Sequence, residues 1–387
     1  MKDPKKQAGF STRAIHAGQS PDPSTGAVMP PIYAVSTYAQ SSPGVHQGYE
    51  YSRTQNPTRM AFERCIADLE SGTRGFAFAS GMATTATLLD LLDSGSHVVA
   101  MDDLYGGSFR LFERVRRRSA ALEFTFADLA DPKAAAAAIR PNTRMIWVET
   151  PTNPLLKLVD IAAVVAAARD RGILVVVDNT FATPWIQRPL ELGADVVMHS
   201  VTKFLNGHSD SVGGAAIMAQ AAHAERIKFV QNSAGAILSP FDSWLVLRGI
   251  KTLPLRMRQH DASGRVLADW LTRHPKISKV YYPGLKDHPQ HALASRQASG
   301  FGGMISFLLA DRVDVTRFFD SLKLCALAES LGGVETLVCQ PSTMTHASIP
   351  PEERQRLGLT DRLARISVGC EDVEDIVADL DRALAGA

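Results

Sequence analysis

From about Pro57 to Ala219 short apolar runs alternate with stretches of helical period. Residues 75–79, 96–101, 144–149, 173–178 and 195–199 have strand length, and several are rich in Val or Ile. Between them, residues 58–70, 82–92, 108–118 and 160–171 have helical composition and spacing. This alternation predicts crossover connections and a mostly parallel sheet covered on both faces. In such sheets ligands sit beyond the carboxyl ends of the strands, so the residues just after each run carry the functional interest.

The flanks read differently. Residues 1–56 hold Pro21, Pro23, Pro30, Pro31 and Pro43 with several glycines and little regular period, which predicts an arm rather than a core. Its aromatic residues Tyr33, Tyr38, Tyr49 and Tyr51 favour docking on another surface, and a neighbouring subunit is the expected one. After Pro240 a helix-rich stretch, 243–270, precedes mixed short elements at 279–282, 303–309, 313–322, 364–368 and 371–384. The expected division is an arm at 1–56, an α/β domain at 57–242 and a smaller α+β domain at 243–387. The run Ala134 to Ala138 fits an exposed helix.

Composition narrows the function classes. The 387 residues exceed what one hydrophobic core usually organises. Forty-one Lys and Arg against forty Asp and Glu leave no long-range field to draw in nucleic acid or an anionic membrane, so a small-molecule partner is expected. The five-residue stretch Arg114 to Arg118 reads as the solvated end of a helix. Cys65, Cys325, Cys339 and Cys370 form no C-x-x-C pair and read as reduced packing residues. The histidines are too dispersed for a metal centre. The basic start lacks an apolar stretch behind it, and no segment has the length of a membrane span, so a cytoplasmic protein is expected.

Chemistry gathers at the strand ends. Asp178 closes the run 173–177, and a carboxylate there costs desolvation energy unless a positive partner meets it. Lys203 follows the next strand, beside Ser200 and Thr202; a lysine placed so is suited to covalent chemistry with a carbonyl cofactor. Ser80-Gly81-Met82 opens a helix directly after a strand, where backbone N–H groups and the Ser80 hydroxyl point at an anion such as a phosphate. No glycine fingerprint of a dinucleotide or nucleoside triphosphate site is present.

Ten segments, in order along nearly the whole chain, carry a family likeness: 51–53 with 56–59, 79–82, 102–107, 149–154, 177–180, 200–203, 206–210, 328–333, 344–347 and 365–369. Together they resemble the Cys/Met-metabolism family of pyridoxal 5'-phosphate (PLP) enzymes. The resemblance implies the aminotransferase-type fold I, with a large, mostly parallel seven-stranded sheet and a smaller α+β C-terminal domain. It also implies a homotetramer of two catalytic dimers. Within it Lys203 carries the cofactor, Asp178 pairs with the pyridine nitrogen with Thr180 beside it, and Tyr105 stacks on the ring. Ser80, Gly81, Met82, Ser200 and Thr202 hold the phosphate, and Tyr51 and Arg53 reach the phosphate of the partner subunit. Arg365, with Asn153 and Ser330, fixes the substrate carboxylate, a task suited to a bidentate guanidinium.

The resemblance also frames the reaction. Glu329 is similar to the acidic residue of family members that handle cystathionine at the γ-carbon, whereas β-lyases and methionine γ-lyases usually place other residues there. Gly107 stands where methionine γ-lyases carry a cysteine. The expected activity is γ-elimination of cystathionine to cysteine, 2-oxobutanoate and ammonia, with hydrogen sulfide release from cysteine as a side reaction. Its alternative is γ-replacement on an O-acylhomoserine. A binding-only scaffold is disfavoured because Lys203, Asp178, Tyr105 and Arg365 are all retained.

Overall fold

Seven strands form one sheet: β1 (Arg74–Phe78), β2 (His97–Met101), β3 (Glu123–Ala127), β4 (Thr143–Glu149), β5 (Leu174–Asp178), β6 (Val196–Ser200) and β7 (Gly214–Met218). Their spatial order is β1-β7-β6-β5-β4-β2-β3, and β7 runs antiparallel to both of its neighbours while the pairs from β6 to β3 are parallel. The computed structural model describes residues 8–347 and 349–387; the basic start and Ser348 lie outside the described residues.

Strand pleating explains how the sheet is buried twice. Val98, Ala100, Trp147, Val176 and Met198 face one apolar cluster, while Val99, Met101, Ile146, Val148, Val175 and Val177 face another. Helices begin where sequence provides a cap and a compatible first turn. Asn56 accepts from the N–H groups of Thr58 and Arg59, with Pro57 opening helix Pro57–Leu69. Ser80 accepts from Ala83 N–H at 3.0 Å and opens helix Gly81–Leu89.

Two strands of this sheet lie outside the runs read from the sequence. β3 is an edge strand that alternates Phe124 and Phe126 with polar residues instead of forming an apolar block. β7 is Gly-Ala-Ala-Ile-Met, small because helix Gly81–Leu89 packs against it: a Cβ at Gly214 would lie 2.3 Å from the Ser80 carbonyl oxygen. The arm also holds a helix the pattern did not reveal, Phe10–His16, whose two turns are too short for a clear period. Ala14 and Ala17 pack into the core beside helix Pro57–Leu69, and Arg13 Nε meets Asp68 at 2.7 Å. The helix-rich stretch expected at 243–270 holds helices Pro240–Ile250 and Leu253–Arg273; the first spans residues 242 and 243, and its Val246, Leu247 and Ile250 share a cluster with Phe62 and Ile66.

A second sheet follows: β8 (Ile277–Tyr281), β9 (Met304–Leu309), β10 (Ala326–Leu327), β11 (Leu337–Cys339) and β12 (Leu363–Ser367), in the order β10-β11-β12-β9-β8. Helix Val373–Gly386 packs Ile376, Leu380 and Leu384 on Phe307, Phe318 and Ile366. Ser306 Oγ on β9 donates to Pro154 O at 2.7 Å, tying this sheet to the loop after β4.

Arg256 ties the second helix to the first sheet. It is buried, and its guanidinium donates to Phe204 O at 2.7 Å, Leu205 O at 3.3 Å and Gly249 O at 2.9 Å. Two of these carbonyls directly follow Lys203. Replacing the side chain in Arg256→Met would strand buried acceptors at about 1–3 kcal/mol each. The urea midpoint of this variant is expected to fall clearly below that of the unaltered chain; an unchanged midpoint would show that the carbonyls find other donors.

Candidate active site

A cavity of about 250 Å³ opens at the carboxyl ends of β2, β4, β5 and β6. The turn after β1 supplies Ser80, Gly81 and Met82, and the turn after β2 supplies Tyr105. β4 and its loop supply Glu149 and Asn153, β5 and its turn Asp178 and Thr180, and β6 with its loop Ser200, Thr202 and Lys203. Glu329, Ser330 and Arg365 close it from the side of the second sheet. Thirteen of the fifteen residues singled out by sequence are thus brought together. Tyr51 and Arg53 are not: both are exposed on the arm, where Arg53 Nη1 donates to Asn232 O at 2.8 Å.

Lys203 Nζ donates to Ser330 Oγ at 2.6 Å. Burial pulls its pKa down to about 8, the Arg365 charge adds to the fall, and Glu329 opposes it. Arg365 is buried on β12; Nη1 donates to Asn153 Oδ1 at 2.8 Å and Nη2 to Ser330 O at 2.9 Å. Ser330 makes both contacts from a left-handed backbone, φ 82°, which points its carbonyl at Arg365 and its hydroxyl at Lys203.

Asp178 is buried, and desolvation raises its pKa. Its Oδ1 accepts from Thr180 N–H at 3.0 Å and from Thr180 Oγ1 at 2.5 Å, contacts that oppose the rise, as does the nearby His199. Thr180 Oγ1 in turn accepts from Ser200 N–H at 2.9 Å, joining the ends of β5 and β6. Across the cavity, Tyr105 sits over Gly107, where a Cβ would lie 2.4 Å from the tyrosine ring.

Glu149 was missed. It ends an apolar run just as Asp178 does, so the strand-end argument would have found it. The two are register partners on β4 and β5, and Glu149 has its pKa raised by burial first and by the Asp178 charge second.

These residues fit PLP on the structure's own terms. The first N–H groups of helix Gly81–Leu89 have no intrahelical partner, and hydroxyls of Ser80, Ser200 and Thr202 lie in the same cavity, a donor set for a phosphate. Gly81 is required there, since its Cβ would fall 2.9 Å from that of Ser200. The buried Asp178 carboxylate suits a protonated ring nitrogen, and Lys203 supplies an amine that is partly neutral near neutral pH.

A strand-end lysine and carboxylate on this two-sheet architecture define a PLP enzyme of the aminotransferase type. The chain belongs to the family described as Cys/Met metabolism PLP-dependent enzyme, whose model matches residues 11–385. It is 58% identical to a cystathionine beta-lyase of Coxiella burnetii over 98% of each chain, and 52% identical to a cystathionine gamma-lyase of Bacillus subtilis over 96% of this chain and 98% of that one. The crystal structure of cystathionine gamma-lyase from Lactobacillus plantarum complexed with L-serine superposes with a TM-score of 0.96 at 46% identity, over 98% of this chain and 99% of that one. The chain is therefore similar to carbon–sulfur lyases of both regiochemistries.

The lowered Lys203 pKa has a direct readout. At pH 7.5 about a quarter of such amines are neutral, against roughly one in a thousand for an ordinary lysine. In protein stripped of cofactor, reductive methylation of Lys203, followed by peptide mass, should accelerate with an inflection near pH 8. An inflection above 10 would contradict the desolvation argument.

Proposed function

We propose that the chain is a cystathionine γ-lyase that converts cystathionine to cysteine, 2-oxobutanoate and ammonia. Glu329 carries this reading: it is exposed, precedes Ser330 in the chain and lines the same cavity as Arg365, where its carboxylate suits the distal ammonium of cystathionine. Release of hydrogen sulfide from cysteine fits the same groups.

When held by these residues, PLP would supply an electron-withdrawing ring that acidifies the Cα–H bond of the substrate. Arg365, oriented by Asn153 and the Ser330 carbonyl, binds the α-carboxylate and sets which bond faces the ring. Lys203 would take the proton at Cα and help move a second one at Cβ. Ser330 Oγ holds that amine toward the cavity. Asp178, whose charged form the Thr180 bonds favour, would meet the ring nitrogen, and Tyr105 would lie against the ring. Ser80, Gly81, Met82, Ser200 and Thr202 take the phosphate. Tyr51 and Arg53 are proposed to reach the phosphate of a neighbouring subunit in a homotetramer of catalytic dimers in the cytoplasm. The divisions near residues 56 and 242 belong to the same proposal.

γ-Replacement is the second reading, because the same Glu329 carboxylate suits the ammonium of an incoming cysteine. β-Elimination, set aside from the sequence, is the activity in the name of the 58%-identical relative. Products separate the three: cysteine with 2-oxobutanoate, cystathionine from an acylhomoserine, or homocysteine with pyruvate. Incubation with each substrate followed by mass analysis is expected to give the first pair; homocysteine and pyruvate as main products would overturn the reading.

Two substitutions test the residues. Lys203→Ala should abolish turnover, and near-normal product formation would refute its role. Glu329→Ala should lower kcat/KM for cystathionine by roughly ten- to a hundred-fold, the worth of a charge-assisted contact, and spare an acylhomoserine that lacks the distal ammonium. Equal losses on both would remove the carboxylate from substrate choice.

A further inference from the structure

The loop after β2 carries Tyr105 and the loop after β4 carries Asn153, and one buried carboxyl group binds both. Glu149 Oε2 accepts from Tyr105 N–H at 2.9 Å, and Oε1 accepts from Asn153 N–H at 3.1 Å. Each recipient leads to a different part of the cavity. Tyr105 lies over Gly107 at the wall expected to cover the cofactor ring. Asn153 Oδ1 accepts from Arg365 Nη1 at 2.8 Å, and Asn153 O meets His346 Nε2 at 3.0 Å.

Neighbouring contacts join the same two loops at their flanks, on other residues than Tyr105 and Asn153. Asp103 Oδ2 accepts from Thr152 Oγ1 at 2.5 Å and from Leu155 N–H at 3.2 Å, and Lys157 Nζ meets Asp102 Oδ1 at 3.2 Å. These hold the flanks of the loops. Among the described residues Glu149 is the one side chain bonded to the backbone of both Tyr105 and Asn153. A glutamine there keeps the shape but offers one carbonyl oxygen, so one of the two N–H groups would face an NH₂ group.

We propose that Glu149 is a positioning residue that couples the tyrosine covering the cofactor to the arginine clamp for the substrate carboxylate. Glu149 fixes the Asn153 backbone, Asn153 fixes one arm of Arg365, and the same carboxyl group fixes the Tyr105 turn. Closing one wall of the cavity therefore sets the other. The inference rests on the PLP and carboxylate-clamp assignments above, and not on which carbon–sulfur bond is broken.

The test uses the PLP-loaded enzyme and L-alanine, which has the α-amino and α-carboxylate groups and no leaving group, with binding read as the change in the visible absorption of the bound cofactor. Glu149→Gln is expected to weaken L-alanine binding about tenfold, the loss of one hydrogen bond with a repulsive contact in its place, and to reduce the visible circular dichroism per bound cofactor. In an Asn153→Ala background the same substitution should cost L-alanine affinity less than twofold, since the path to Arg365 is already cut. Full additivity of the two losses, or a lower melting temperature with unchanged affinity and dichroism, would overturn the proposal. If Glu149→Gln does not fold, Glu149→Asp serves: it keeps the charge but is one methylene short of spanning both loops, and unchanged L-alanine affinity in that variant would equally refute the coupling. Failure of L-alanine to perturb the unaltered enzyme would instead count against the clamp assignment itself.

Discussion

Ionisable groups held away from water at the ends of β4, β5 and β6 are the constraint on which the rest of this structure depends. Glu149, Asp178 and Lys203 would each be costly if left unpartnered in an apolar setting. The fold answers with directed partners: Thr180 donates to Asp178, two backbone N–H groups donate to Glu149, and the Ser330 hydroxyl accepts from Lys203. What remains uncompensated on Lys203, a lowered amine pKa, is the reactivity a proton-moving amine requires.

The partners come from distant parts of the chain, and this explains the two-sheet design. The first sheet can present strand ends along one line only. Arg365 and Ser330 approach from the second sheet, so the guanidinium and the Lys203 amine are brought together across the junction. Arg256 and Ser306 hold that junction, each by donating to backbone carbonyls of loops that carry cavity residues.

Much of this was legible in the sequence because the relevant signals are local. An apolar run ending in a charge marks β5 and Asp178, and a small-residue turn opening a helix marks Ser80 to Met82. β7 was hidden since its glycine and alanines answer to the close approach of helix Gly81–Leu89, a tertiary demand that lowers apparent strand propensity. Helix Phe10–His16 was hidden by its length. Glu149 ends its run as Asp178 does, but the two loops whose N–H groups it binds come together only in the fold. Reaction choice was least legible: relatives at 58% and 52% identity carry names that differ in which carbon–sulfur bond is cleaved, so the shared residues do not encode it.

Ser330 shows how the site limits its own improvement. A left-handed φ of 82° is a conformation that glycine adopts freely and serine does not, so relaxation toward a sturdier protein would favour glycine at this position. Glycine would keep the carbonyl that Arg365 grips and delete the hydroxyl that Lys203 meets. Selection for heat resistance and selection for turnover therefore pull one codon in opposite directions, and directed evolution for robustness alone would be expected to erode activity first at this residue.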